Sequence, residues 1–174
     1  MNTASALAAG SFKTLNVRLE GAVLVVEISA PPMNLLGPEL VRDLVSLIQQ
    51  AEAESALRVL VFKSADPDYF ISHVDVTRIK EYRQEAAKLV GEASIGLLFR
   101  RLSTSRLVTI AQIEGRVRGA GSEFVLACDM RFAARESAIF GQPEAGLGAN
   151  PGAGGIQSHT ADGSRPRARS HVEF

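Results

Sequence analysis

The apolar residues of this chain change period repeatedly, and that restricts its fold more than any other feature of the sequence. Residues 14–20 (TLNVRLE) alternate, while 23–28 (VLVVEI) run almost continuously in apolar, mostly β-branched side chains. With Glu20-Gly21-Ala22 between them, they read as a hairpin of two strands. Ala30-Pro31-Pro32 ends the second strand. Pro38 stands where a helix starts, since the first helical N–H has no partner to lose. Leu40, Leu44, Leu47, Ile48 and Ala51 then share one helical face. Residues 58–63 (RVLVFK) return to strand, and 70–75 lie in a loop. Residues 81–102 read as a helix, with Leu89, Ile95, Leu97, Leu98 and Leu102 as its apolar surface. Residues 107–113 (LVTIAQI) are another buried strand, and a glycine-rich turn leads into a helix at 123–128 and a short strand at 130–133. Strand and helix in alternation predict α/β layers with largely parallel strands.

At 174 residues, one such domain can bury a substantial core. Lys+Arg and Asp+Glu both number 19, so the overall charge draws in neither nucleic acid nor an anionic membrane, and neither is expected as a partner. An anionic ligand has to be held by a local site. No window approaches the ~18 apolar residues of a membrane helix. A single cysteine, Cys128, excludes an internal disulfide and a site of several thiolates, and it fits a cytoplasmic location. His73, His159 and His171 lack ligand spacing, so no metal is expected. Residues 1–13 read as an N-terminal arm rather than a signal peptide, 14–157 as the core, and 158–174 as an atypical tail.

Four segments carry chemical potential. They are Pro32-Met33-Asn34-Leu35-Leu36, Phe70-Ile71-Ser72-His73-Val74-Asp75, the run from Ile113 through Gly119-Ala120-Gly121 to Glu123-Phe124, and Phe140-Gly141-Gln142-Pro143-Glu144. The last continues to Pro151-Gly152-Ala153-Gly154-Gly155. The third is a strand feeding a glycine-rich turn and a helix, which exposes backbone N–H groups at the positive end of a helix dipole. Such donors can stabilise a developing oxyanion. Glu123, just inside the helix, and Glu144, after a rigidifying proline, can divide acid and base duties if their environments separate their pKa values. Taken singly, each feature also fits a plain turn, a dipole-favoured carboxylate or a solvated loop.

In order and approximate spacing, these segments resemble the enoyl-CoA hydratase/isomerase (crotonase) family over roughly residues 15–157, most specifically over 110–157. The resemblance implies an α/β crotonase-like spiral of ββα units. It implies Glu123 and Glu144 as the pair that holds and activates water, and Val74 and Ala120 as the backbone donors to a thioester oxygen. Ser72, His73, Asp75, Gly119, Gly121, Pro143 and Gly152 are implied around the substrate. It further implies an acyl-CoA ligand, no separate cofactor because coenzyme A is part of the substrate, and a homo-oligomer, a trimer or a dimer of trimers.

The chain departs from the family in two places. Ser72-His73-Val74-Asp75 replaces a common Ala-Gly-Ala-Asp, and Gly119-Ala120-Gly121 replaces a run of three glycines. The first substitution trades a conformationally free residue for histidine. From Ser158 onward the sequence loses apolar residues and periodicity, where family members continue into helices that cover the pocket and build trimers. A chain lacking that C-terminal helical region is therefore expected, and a shift of reading frame is one account of the tail.

Parts of the pattern also fit other readings. Gly119-x-Gly121 after a strand, with Glu144 about 20 residues on, fits the start of a dinucleotide site, but Phe124 stands at the third glycine position. Residues 148–155 lack the Gly-Lys-Ser/Thr of a phosphate loop. A non-catalytic acyl-CoA-binding or assembly subunit, or another activity of the same fold such as an isomerase, stays open beside the hydratase.

Overall fold

The computed structural model describes residues 12–148 and 152. A hairpin of β1 (Leu15–Glu20) and β2 (Val23–Ile28) opens the chain, and helix α1 (Pro38–Ala53) follows. Then come β3 (Val59–Ser64), β4 (Tyr69–Ile71), α2 (Ile79–Val90), α3 (Ile95–Ser103), β5 (Val108–Ile113), β6 (Arg116–Arg118) and α4 (Ala120–Ala127). β7 (Met130–Ala133), β8 (Ile139–Gly141) and a 3-10 turn (Pro143–Leu147) complete the described elements.

Two sheets result. The first has the order β1-β2-β3-β5-β7 and the second β4-β6-β8. β1 runs antiparallel to β2; every other pairing is parallel. Each of the units β3-β4, β5-β6 and β7-β8 gives one strand to each sheet, and the first two are followed by helix. This is the expected spiral of ββα units. Parallel pairing needs such crossovers, because consecutive parallel strands cannot be joined by a tight turn.

Three local readings change. Tyr69–Ile71 is strand rather than loop, because it pairs with β6. Its three residues are too few to show a period. The single helix read over 81–102 is two helices. The chain turns at Gly91 (φ 79), and Ser94 caps α3 by accepting from Leu97 N–H. Tyr82 and Ala86 are the buried residues of α2, with Leu89 only half-buried. Finally, the glycine-rich stretch contains β6, and its helix begins at Ala120 rather than Glu123.

α1 behaves as its sequence predicts. Pro38 occupies its first turn, and Leu40, Leu44, Leu47, Ile48 and Ala51 are all buried. Its C-terminal carbonyls are met by Arg106, which donates to the carbonyls of Ala51 and Glu52 at 3.2 and 2.9 Å.

Phe124 of α4 ties the layers together. Its ring meets Phe62 of β3 edge-on at 5.1 Å, Phe99 of α3 at 5.6 Å and Phe70 of β4 at 6.3 Å. The helix is thereby anchored to both sheets and to α3. Truncating such a buried aromatic costs about 3–5 kcal/mol, so the position of the α4 N-terminus is strongly determined.

Candidate active site

The four segments are linked, each to the next, by contacts that lead to the N-terminus of α4; residues 151 and 153–155 of the last lie outside the described residues. The first joins the second through a parallel bridge between Leu36 and Val74. Leu36 N–H donates to the His73 carbonyl at 2.8 Å, and Asp75 N–H donates to the Leu36 carbonyl at 3.2 Å. In a parallel bridge of this kind, the residue between the two bonds turns its own N–H to the opposite side. Val74 N–H therefore faces away from Leu36.

Asn34 reinforces the same junction. Its Oδ1 accepts from Ala30 N–H at 2.7 Å, and its Nδ2 donates to Ser64 Oγ at 2.8 Å and to the carbonyls of Phe70 and Tyr69 at 3.1 and 3.2 Å. The residue is buried with φ at 51°, a left-handed conformation that asparagine tolerates better than most residues. Asn34 belongs to the first of the four segments, where sequence alone assigns it no role. The available signal was its type: a short amide two residues after paired prolines can bond its own neighbouring backbone.

The second and third segments meet backbone to backbone. A methyl group in place of the Gly121 hydrogen would stand 2.2 Å from the Ile71 carbonyl oxygen, so the end of β4 lies directly against α4. The third and fourth meet at Gly119, where a methyl group would stand 2.5 Å from Oε1 of Glu144. Gly119 N–H donates to the Gly141 carbonyl at 3.0 Å. Ser122 Oγ donates at 2.9 Å to the same carbonyl, or at 3.0 Å to that of Val117.

Each expected residue then has a place. Ala120, 3% exposed, opens α4, and an N–H in the first helical turn has no acceptor within the helix. Glu123 is buried in that turn, with its own N–H bonded to the Gly119 carbonyl at 3.1 Å. Glu144 lies in the 3-10 turn that the exposed Pro143 opens. Its Oε1 lies against Gly119, and its Oε2 is buried without a hydrogen-bond partner among the described residues. Ser72 is 2% exposed, and its Oγ has no such partner either. The His73 ring is half-buried and bonds through Nδ1 to the Val74 carbonyl. Nδ1 must carry the proton to donate there. Asp75 closes the next turn, accepting from Thr77 N–H at 3.0 Å and Thr77 Oγ1 at 2.6 Å, and the Thr77 hydroxyl holds its carboxyl below the usual range. Gly152 is exposed, and its neighbours lie outside the described residues.

The N-terminus of α4 thus carries the Ala120 amide and Glu123 with the Glu144 carboxylate against Gly119, and the end of β4, three residues before Val74, packs on the same helix. An oxyanion held by the Ala120 amide would lie beside groups able to move protons. Gly119 does not open a dinucleotide turn: it follows a strand of the smaller sheet, and the Glu144 carboxylate covers it.

The family model described as enoyl-CoA hydratase/isomerase matches residues 18–168. A short-chain-enoyl-CoA hydratase of Clostridium acetobutylicum is 33% identical over 139 residues, which make up 79% of this chain and 52% of that protein. Among crystal structures, a Streptomyces avermitilis protein described as a candidate enoyl-CoA hydratase is 57% identical with a TM-score of 0.83, over 91% of this chain and 58% of that one. An enoyl-CoA hydratase of Bacillus anthracis is 26% identical with a TM-score of 0.73, over 84% of this chain and 57% of the other. The chain therefore spans about half the length of the curated relative it matches.

Proposed function

The chain belongs to the enoyl-CoA hydratase/isomerase (crotonase) family, and on that premise we propose that it adds water across the double bond of a 2-enoyl-CoA thioester. One observation carries the reading: the Glu144 carboxylate lies against Gly119, one residue before the Ala120 amide and one turn from the buried Glu123. In this reading the amides of Val74 and Ala120 donate to the thioester oxygen. As water attacks the β-carbon, the electron pair of the double bond moves toward that oxygen, and the amides stabilise the enolate-like charge. One glutamate takes a proton from the water, and the other, protonated, delivers one to the α-carbon. Both elements of water end in the product, and coenzyme A stays attached throughout. The ligand is an acyl-CoA thioester, and the working state is a homo-oligomer, a trimer or a dimer of trimers.

Absorbance at the enoyl-thioester band, followed while the protein is mixed with crotonyl-CoA, tests this. Turnover should consume the band, and Glu123→Gln or Glu144→Gln should slow it by at least ~10²-fold while CoA-ester binding persists. Unchanged turnover in Glu144→Gln would remove that residue from the mechanism.

A second reading, acyl-CoA binding without turnover, draws on Ser72-His73-Val74, where three larger residues stand in a segment that the family commonly builds from alanine and glycine. A folded protein that binds crotonyl-CoA and leaves the band untouched would favour it. Migration of the double bond without water uptake would instead favour an isomerase.

A further inference from the structure

Val74 is half-buried against the core, but the segment beyond it is not held in place by burial. After the bridge to Leu36 it runs outward: Val76 is 62% exposed and Ile79 is 41% exposed, so neither anchors it in the core. Chain beyond its last rung can pivot about that rung. What opposes the pivot is polar. Arg78 N–H donates to the Asp75 carbonyl at 3.2 Å, which closes the turn. The Arg78 guanidinium then forks between two carboxylates on two helices. Its Nη1 reaches both oxygens of Glu39, in the first turn of α1, at 3.0 and 2.9 Å. Its Nε and Nη2 reach Glu81, in the first turn of α2, with Nη2 at 2.7 Å.

Glu39 lies three residues beyond Leu36, and Arg78 four beyond Val74. The Leu36–Val74 rung and the Glu39–Arg78 pair therefore tie the same two stretches at both ends and close a ring. We propose that Arg78 is a positioning residue that sets the direction of the Val74 amide by clamping the chain after it to the starts of α1 and α2. It touches no substrate; it acts through Val74, and so this inference rests on the reading of Val74 as a thioester donor.

The chemistry suits the task. Isolated surface ion pairs contribute little, but a planar guanidinium engaged along two edges fixes direction as well as distance. Lysine, a point charge on a flexible stem, keeps the attraction and loses the fork. Because the three side chains are partly exposed, salt should loosen the clamp.

The test uses the full chain with Arg78→Ala, Arg78→Lys and Glu39→Gln, read by steady-state kinetics on crotonyl-CoA, by melting temperature, and by the Val74 amide resonance in 15N-valine-labelled protein. Arg78→Ala should lower kcat roughly 10- to 100-fold, the scale of an ångström of misplacement, with KM within about threefold. The Val74 resonance should shift or broaden without ligand. Arg78→Lys should recover part of kcat, and Glu39→Gln should follow Arg78→Ala. Added salt should lower kcat in the wild type and leave Arg78→Ala unaffected. Wild-type kcat together with an unmoved Val74 amide in Arg78→Ala overturns the proposal, as does a loss confined to KM. If Arg78→Ala fails to fold, the lysine and Glu39→Gln variants decide by the same criteria. If the wild type itself shows no turnover, the hydratase reading falls. The clamp is then judged by the Val74 amide alone, free and with the unreactive butyryl-CoA, and an identical resonance in wild type and variants sinks it.

Discussion

Replacing Gly119 by alanine should separate the candidate chemistry from the stability of the fold. Gly119 has φ 51 and ψ −123, a conformation that costs a residue with a side chain about 1–3 kcal/mol. The added methyl would also stand 2.5 Å from Oε1 of Glu144. Comfortable contact lies near 3.5 Å, so the carboxylate has to retreat by about 1 Å. That carboxylate ends a side chain, so it yields by rotation, and the stability loss stays close to the backbone strain. At about 2–4 °C per kcal/mol for a protein of this size, melting should fall by roughly 2–12 °C. Turnover of crotonyl-CoA should fall ~10²-fold, the effect of displacing a reacting group by an ångström. Gly121→Ala is the comparison. Its methyl would meet the Ile71 carbonyl oxygen at 2.2 Å, a backbone atom that no side-chain rotation moves. Without a left-handed φ, Gly121→Ala should still lower melting more than Gly119→Ala, because β4 and α4 must part. Both variants are read by the enoyl-thioester absorbance and by thermal unfolding. Gly119→Ala that melts lower yet turns over at the wild-type rate would refute the placement of Glu144 in the chemistry. A milder melting loss in Gly121→Ala than in Gly119→Ala would refute the packing argument.

Three further outcomes follow from buried polar groups. Asn34→Ala removes hydrogen bonds to the Ala30 N–H, the Ser64 hydroxyl and the Tyr69 and Phe70 carbonyls, of which the Tyr69 carbonyl keeps the Ser64 hydroxyl as a donor; a loss of about 2–4 kcal/mol is expected by denaturant titration, and a loss below 1 kcal/mol would contradict the hub. Ser72→Ala deletes a buried hydroxyl that bonds to nothing among the described residues; the melting temperature should hold or rise, and a fall of several degrees would reveal a bond that the geometry does not contain. Burial pushes the Cys128 thiol up to about 12, so it stays protonated and unreactive toward a thiol reagent at pH 8 until the protein unfolds; rapid labelling of the folded protein would refute that environment.

The local sequence determined much of this protein. The β-branched runs at β2, β3 and β5 had to become strands with one buried face, and Pro38 with the leucines behind it had to start a helix that hides one face. A glycine-rich link between strand and helix had to present amides at a helix end. These features depend on neighbours a few residues apart, where periodicity and backbone sterics speak plainly. Strands of three residues have no period to read, so β4, β6 and β8 were not legible, and neither was the second sheet they build. The break at Gly91 was lost for a related reason: two short helices in succession imitate one long apolar stripe. The convergence at the α4 N-terminus was decided by tertiary structure alone. Resemblance to a family named Glu144, but the contact of its carboxylate with Gly119, 25 residues earlier, depends on how β6 pairs with β8. Arg78 gave no sign at all in the sequence. An exposed arginine looks like any other until the fold sets Glu39, 39 residues away, within reach of its guanidinium, because side-chain direction across such a distance is fixed by packing rather than by local pattern.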